Sequence, residues 1–425
     1  MTAGKAGELQ DRSTVTHAGE VRIARQPIYD RDLNVCGYEL LYRQGDATSA
    51  NHVNDDAATA SVMDNALTSF GLEQITGGKP AYINLTRRFF MHDLLIPFQK
   101  DQVVLELLED IEPDDELIAA LRRLSKRGFH IALDDYMLNT DERHRLFPYC
   151  DMIKVDVLNM SYREVVAHTK QLIRPGAPSL LAEKVETQEM MDLCRKAGFS
   201  YFQGFFLSRP TTLSSQSLSS RRLPLLQLVA ALHKPELNIK EVETIIARDL
   251  SLTYKLLRYL SSPVFAARNI NSVRSAILYL GSREIAHWAV LLAMAAEDDQ
   301  PAERIRSLLI RAYICEQLTR HRYGGSDAEA SFTIGLFSGL DAVFDAPIEQ
   351  ICEQLPLNDE SEQALIHATG PYGSVLAATI AQEQADWERL ARLEIPPRQL
   401  NHFYLEAVRW ADEHYDYLER SARAG

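Results

Sequence analysis

The feature that most constrains this chain is a change of grammar near its middle. From about Val21 to Ser208, short runs rich in Val, Ile, Leu and Tyr alternate with amphipathic helical stretches, a pattern that argues for βα units. The spacing predicts strands over Val21–Arg25, Val35–Tyr42, Ala81–Thr86, Val103–Leu108, His130–Asp135, Met152–Val157, Leu180–Val185 and Phe202–Leu207. Helices are expected over Asp56–Phe70, Pro113–Arg127, Tyr162–Ile173 and Thr187–Ala197, with Gly71, Gly128 and Gly198 as stops. This succession suggests an α/β TIM-like barrel, and an open doubly wound sheet is the alternative that the same alternation would produce.

After Thr211–Arg222, a Ser/Thr-rich interval read as a linker, the strand signal stops. From Leu223 to the end, apolar positions recur at helical spacing and Pro224, Gly281, Pro347 and Pro371 punctuate the segments, so an all-α domain is expected over residues 223–425. Residues 1–20 are read as a disordered N-terminus and 21–210 as the barrel. The longest apolar stretch, near Trp288–Ala296, is too short to span a bilayer, so no membrane contact is expected. The five cysteines form no CxxC or Cys/His spacing, which suggests neither a disulfide framework nor a zinc site and points to a reducing cytoplasmic setting. A net charge of −14 opposes direct nucleic-acid binding.

Oxygen-bearing side chains recur where the apolar strands finish: Glu39, Asn84, Glu106, Asp134, Asp135, Glu183 and Glu186. In a barrel those strand ends converge on one mouth. Carboxylates gathered there raise one another's pKa unless a cation neutralises them, and carboxylate and amide oxygens favour Mg²⁺ or Mn²⁺ over zinc. Adjacent aspartates such as Asp134 and Asp135 suit two ions, the usual setting for phosphodiester hydrolysis. Lys154, on the next strand, would add a positive charge to the same pocket. Taken singly, each acid reads more readily as a helix cap or a solvated strand end, and it is their joint placement that favours a site.

These residues resemble the EAL domains of bacterial cyclic di-GMP signalling. The resemblance runs from residue 21 to 210 through RQPIYD (Arg25–Asp30), GYELLYR (Gly37–Arg43), INLT (Ile83–Thr86), LELLE (Leu105–Glu109), ALDDY (Ala132–Tyr136), IKVD (Ile153–Asp156), AEKVET (Ala182–Thr187) and FQGFFLSRP (Phe202–Pro210). It implies hydrolysis of cyclic di-GMP to linear pGpG with two divalent ions. Glu39, Asn84, Glu106 and Asp134 would hold one ion, and Asp134 with Asp135 would serve the second. Glu183 would position or deprotonate the attacking water, Lys154 would hold that water or the phosphate, and Glu186 and Gln203 would support the site. Gln26 and Arg43 would face ligand phosphate or base.

Two departures stand out. Active EAL domains continue the double aspartate as a Gly-rich loop, whereas here Asp135 is followed by Tyr136-Met137-Leu138-Asn139-Thr140-Asp141, and the Gly of the AEGVE pattern is Lys184. The helical half is similar to HDOD domains, through RLPLLQLVAAL, VETIIARDLSLTYKLLRYLSSP and INSVRSAILYLGSREIAHWAV. The His-Asp metal pair of hydrolytic relatives is replaced by Ser338 and Gly339, so this half is read as a module for an unknown protein partner. The resemblance allows a homodimer. A protein that binds cyclic di-GMP or a partner as an adaptor, turning substrate over weakly or not at all, is the alternative to the enzyme.

Overall fold

A computed structural model describes residues 21–44, 71–91, 98–137, 142–204, 238–247, 275–281, 302–324, 328–341, 346–353, 357–393 and 395–423, together with the single positions Leu228, Ala231, Leu256, Ile285 and Leu355. The expected N-terminal disorder, the helix over Asp56–Phe70 and the linker over 211–222 lie outside the described residues, as does the apolar stretch near Trp288–Ala296.

Eight strands close into a barrel in sequence order. They are β1 (Val21–Tyr29), β2 (Val35–Gln44), β3 (Ala81–Leu85), β4 (Val103–Leu107), β5 (His130–Leu133), β6 (Met152–Asp156), β7 (Ser179–Glu183) and β8 (Tyr201–Phe202). Closure settles the choice against the open doubly wound sheet. Helices α1 (Leu72–Thr76), α2 (Arg87–Met91), α3 (Asp115–Lys126), α4 (Tyr162–Leu172) and α5 (Gln188–Ala197) connect the strands. Asp114, Ser161 and Thr187 cap α3, α4 and α5 by accepting from backbone N–H groups of the first turn, and Gly198 ends α5 in the left-handed conformation. Gly71, expected as a helix stop, stands at the N-terminal end of α1.

The barrel is not uniformly parallel. β1 runs antiparallel to both β2 and β8, while β2 through β8 pair in parallel. The tight connection Asp30–Asn34, with the Asp30 carboxylate accepting from the Asp32 and Asn34 backbone N–H groups, makes a hairpin of β1 and β2, which only antiparallel strands can form. β1 also extends beyond the expected Arg25, through Pro27 to Tyr29.

Side chains two residues apart share a face of a strand. Ile28, Tyr82, Val104, Ala132, Met152 and Leu181 form one apolar plug, with Tyr201 against it. Two positions along each strand, on the same face, come Gln26, Asn84, Glu106, Asp134, Lys154, Glu183 and Gln203. The plug therefore floors a polar layer at the mouth. Gly37 stands two residues before Glu39, and a Cβ there would lie 2.6 Å from the Tyr82 ring. Replacing Gly37 by alanine is expected to destabilise the fold by about 1–3 kcal/mol through overpacking, read as a fall in the denaturation midpoint.

The described second half is helical: α6 (Ile239–Ala247), α7 (Ala302–Tyr323), α8 (Ala328–Phe337), α9 (Ile348–Cys352), α10 (Asp359–His367), α11 (Gly370–Glu383), α12 (Trp387–Arg392) and α13 (Pro397–Arg423). Ser338 and Gly339 serve packing here. The Ser338 hydroxyl donates to Gly335 O and accepts from Arg311, and a Cβ at Gly339 would strike Leu308. All five cysteines are free, and no described helix is long and apolar enough to cross a membrane.

The helices cover the edge of β1 that turns away from β2. Ile23 N donates to Asn401 Oδ1, Arg25 N donates to Tyr404 Oη, and Gln382 donates to Ile23 O. Side chains of α11 and α13 thus take the hydrogen bonds that a neighbouring strand would otherwise make. Beside them Tyr38 donates to Glu303 at 2.7 Å, and the Arg25 guanidinium lies 4.3 Å from the Tyr38 ring and 3.6 Å from Glu303.

Candidate active site

Lys154, wholly buried on β6, is the centre of the mouth. Its Nζ lies 2.7 Å from Asp134 Oδ1, 2.9 Å from Glu106 Oε1, 3.0 Å from Glu183 Oε1 and 3.3 Å from Glu39 Oε2. Four carboxylates from β2, β4, β7 and the end of β5 thus surround one ammonium, leaving surplus negative charge. Asn84 donates to Glu39 Oε1, and Gln203 donates to Glu39 Oε2 and Gln26 Oε1, at 3.2, 2.6 and 3.1 Å. The structure accordingly brings together Gln26, Glu39, Asn84, Glu106, Asp134, Lys154, Glu183 and Gln203.

The remaining expected residues stand further out. Asp135 and Glu186 line the same cavity, Glu186 at its exposed rim. The side chain of Arg43 lies outside the described residues. Lys184 does not enter the centre: its ammonium pairs with Asp156. Its backbone is left-handed, with φ of 55°, a conformation glycine adopts without cost.

The electrostatics follow from burial. Burial raises the Glu106 carboxyl well above the usual range, with Glu39 adding to the rise and Lys154 opposing it. Burial likewise pushes Glu183 up to about 8, opposed by Lys154 and assisted by Asp134 and Glu39. For Lys154 burial acts to lower the pKa, but Glu106, Glu183, Glu39 and Asp134 outweigh it and hold the ammonium well above its ordinary value. The lysine stays charged, and Glu106 and Glu183 relieve the repulsion at the centre by holding their protons more tightly. A group whose folded pKa is raised contributes stability that is full below its unfolded value and lost through its folded one. In chelator, the Glu183 contribution is therefore expected to decline as pH rises from about 4.5 to about 8. Glu183→Gln, which cannot titrate, is expected to flatten the melting temperature over that window.

Among the described residues no group of three or more His, Cys, Asp and Glu has the spacing of a metal site, and the Lys154 ammonium lies between the acids. The donor set nevertheless fits hard cations. Glu106 Oε2, Glu183 Oε2 and Asn84 Oδ1 are buried oxygens without a hydrogen-bond partner, and oxygen-only donors suit Mg²⁺, Mn²⁺ or Ca²⁺.

Arg143 is a site residue that the sequence did not disclose. Buried in the 3-10 segment Glu142–Tyr149, it donates to the carbonyls of Leu108, Asp134 and Asp135 at 3.2, 2.8 and 3.2 Å. Asp135 has φ of 43°, and its carbonyl is held from the segment beyond the glycine-free loop. Nothing about an arginine in DERHRL distinguishes it from a surface charge. Arg143→Met is expected to weaken Mn²⁺ binding by about tenfold or more by releasing Asp134 and Asp135, comparable to losing an outer support of a metal site; calorimetric titration measures it.

An EAL domain family model matches residues 7–210 and an HDOD domain model residues 223–364. Cyclic di-GMP phosphodiesterase CdgJ of Vibrio cholerae is 32% identical over 400 residues, covering 92% of each chain. The chain belongs to the EAL–HDOD family. YuxH of Bacillus subtilis, described as uncharacterized, is 34% identical over 403 residues, 92% of this chain and 98% of that one. The Bacillus subtilis YkuI protein, solved with cyclic di-GMP and calcium, matches 55% of this chain and 73% of its own at 20% identity, with a TM-score of 0.38.

Proposed function

We propose that this EAL–HDOD protein hydrolyses cyclic di-GMP to linear pGpG at the barrel mouth, with two divalent ions, Mg²⁺ or Mn²⁺. The observation that carries the reading is the convergence of Glu39, Glu106, Asp134 and Glu183 within 2.7–3.3 Å of one buried ammonium, alongside buried oxygens without partners. Glu39, Asn84, Glu106 and Asp134 would hold one ion, and Asp134 with Asp135 the second. The ions would supply an activated water and charge neutralisation at the phosphodiester.

The chain's own groups do the remaining work. Glu183, whose Oε2 is buried without a hydrogen-bond partner, would take a proton from the attacking water once bound cations hold its carboxyl ionised. Lys154 is poised to turn its ammonium toward the water or the developing phosphate charge once the carboxylates bind cations. Gln203 and Asn84 fix the rotamer of Glu39, while Gln26 and Arg43 would meet phosphate or base and Glu186 would support the rim. Lys184, turned to Asp156, leaves the carboxylate centre clear, which favours the enzyme over a plugged barrel. A cytoplasmic location, a protein partner of the helical half and a homodimer belong to the same reading; light scattering at twice the 48.0 kDa chain mass tests the dimer.

The test incubates purified protein with cyclic di-GMP and Mn²⁺ or Mg²⁺ and follows pGpG by chromatography. Product that vanishes in Glu39→Ala and Asp134→Ala supports hydrolysis at this site. Calorimetric binding without product selects the adaptor, the reading favoured by the glycine-free loop after Asp135.

A further inference from the structure

The cavity that contains the carboxylate centre does not end at the barrel. It encloses about 560 Å³, within the roughly 300–1,000 Å³ of ordinary ligand sites. Its far wall is built by the helical half, from Ser307, Ile310 and Arg311 on α7, Glu383 and Gln384 at the end of α11, and Tyr404 on α13, with Glu303 of α7 beside them neutralised by Arg25 of β1 at 3.6 Å.

This wall is chemically unlike the mouth. Arg311 donates from Nε and Nη2 to the two oxygens of Glu383 at 3.0 and 2.7 Å, and from Nη1 to Ser338 at 2.8 Å. The ion pair is neutral overall and fixed on both sides. Around it stand an amide, a hydroxyl and an aliphatic surface. Such a wall offers hydrogen-bond donors and acceptors without net charge, which suits the edge and face of a purine and gives a phosphate little. The barrel side, with its cation-seeking oxygens, suits the phosphodiester.

We propose that the ligand bridges the two halves: the scissile phosphodiester of cyclic di-GMP lies on the carboxylate centre while one guanine rests against Ser307, Arg311, Glu383 and Gln384. This rests on the reading of the mouth as a cyclic di-GMP site. The helical half is then part of the binding pocket as well as a possible surface for partners, and its packing on β1 sets the pocket's width.

The experiment is calorimetric titration of the full-length wild type, Ser307→Trp and Gln384→Ala with cyclic di-GMP in Ca²⁺, and separately with Mn²⁺ alone. Ser307→Trp fills the space assigned to the base; Gln384→Ala removes one amide from a half-buried turn. The expected result is a rise in the cyclic di-GMP Kd of about tenfold or more for Ser307→Trp and a smaller rise for Gln384→Ala, with Mn²⁺ affinity unchanged in both. Wild-type affinity for the dinucleotide in both variants would overturn the bridging, leaving the ligand wholly on the barrel. Equal loss of Mn²⁺ and dinucleotide binding would overturn it too, since the wall would then act through the barrel's fold. If the wild type itself binds Mn²⁺ and not cyclic di-GMP, it is the underlying reading of the mouth that fails.

Discussion

Lys154→Met is expected to lower the stability of the protein in chelator by about 3–5 kcal/mol, the cost of leaving buried charge without its partner. The substitution conserves much of the lysine's length but removes the only ammonium within 2.7–3.3 Å of Glu39, Glu106, Asp134 and Glu183 among the described residues. Four acids around an apolar side chain must take up protons or repel one another. The destabilisation should therefore grow as pH rises, because each proton then becomes harder to retain. Added Mn²⁺ should restore much of the loss, and the melting temperature of the variant should depend on Mn²⁺ more steeply than that of the wild type. A variant as stable as the parent in chelator at pH 8 would show that the ammonium does not hold this centre together.

For turnover the largest effect is expected at Glu39 and Asp134. Glu39→Gln and Asp134→Asn preserve shape and remove charge, and each should reduce pGpG formation by on the order of 10³-fold, the scale of losing a preorganised electrostatic group. Glu39 is oriented by both Asn84 and Gln203, so glutamine at this position would also face a donor-rich environment with its amide. Asp134 would be shared by the two proposed ions and makes the shortest contact to Lys154. Melting temperatures within a few degrees of wild type, with pGpG formation lost, would separate chemistry from folding. Full turnover in either variant would remove that residue from the metal set.

Much of this site was legible in the sequence because β-strand alternation is simple: an apolar plug residue followed two positions later by a polar one identifies the mouth on strand after strand. Tyr82 and Asn84, Val104 and Glu106, Ala132 and Asp134, and Leu181 and Glu183 all follow that rule. Strand direction is not written in alternation, so the antiparallel course of β1 is not legible there. Nor did the pattern show that Lys154 would be the hub, since a lysine within MIKVD has the same spacing whether its ammonium meets solvent or four acids. Arg143 and the wall of Ser307, Arg311 and Gln384 carry no local signature. Their relation to the site arises from packing between segments far apart in the chain, which periodicity does not encode.

The hairpin of β1 and β2 carries two allegiances on alternate residues. Gln26 and Glu39 face the mouth, while Arg25 and Tyr38 reach Glu303 on α7. Cutting the chain after the barrel would strip β1 of Asn401, Tyr404 and Gln382 and bare a row of backbone groups ready to recruit a strand from another molecule. An isolated barrel fragment made for biochemistry would thus be prone to self-association, and any sluggishness it showed would report on a damaged hairpin rather than on the full chain.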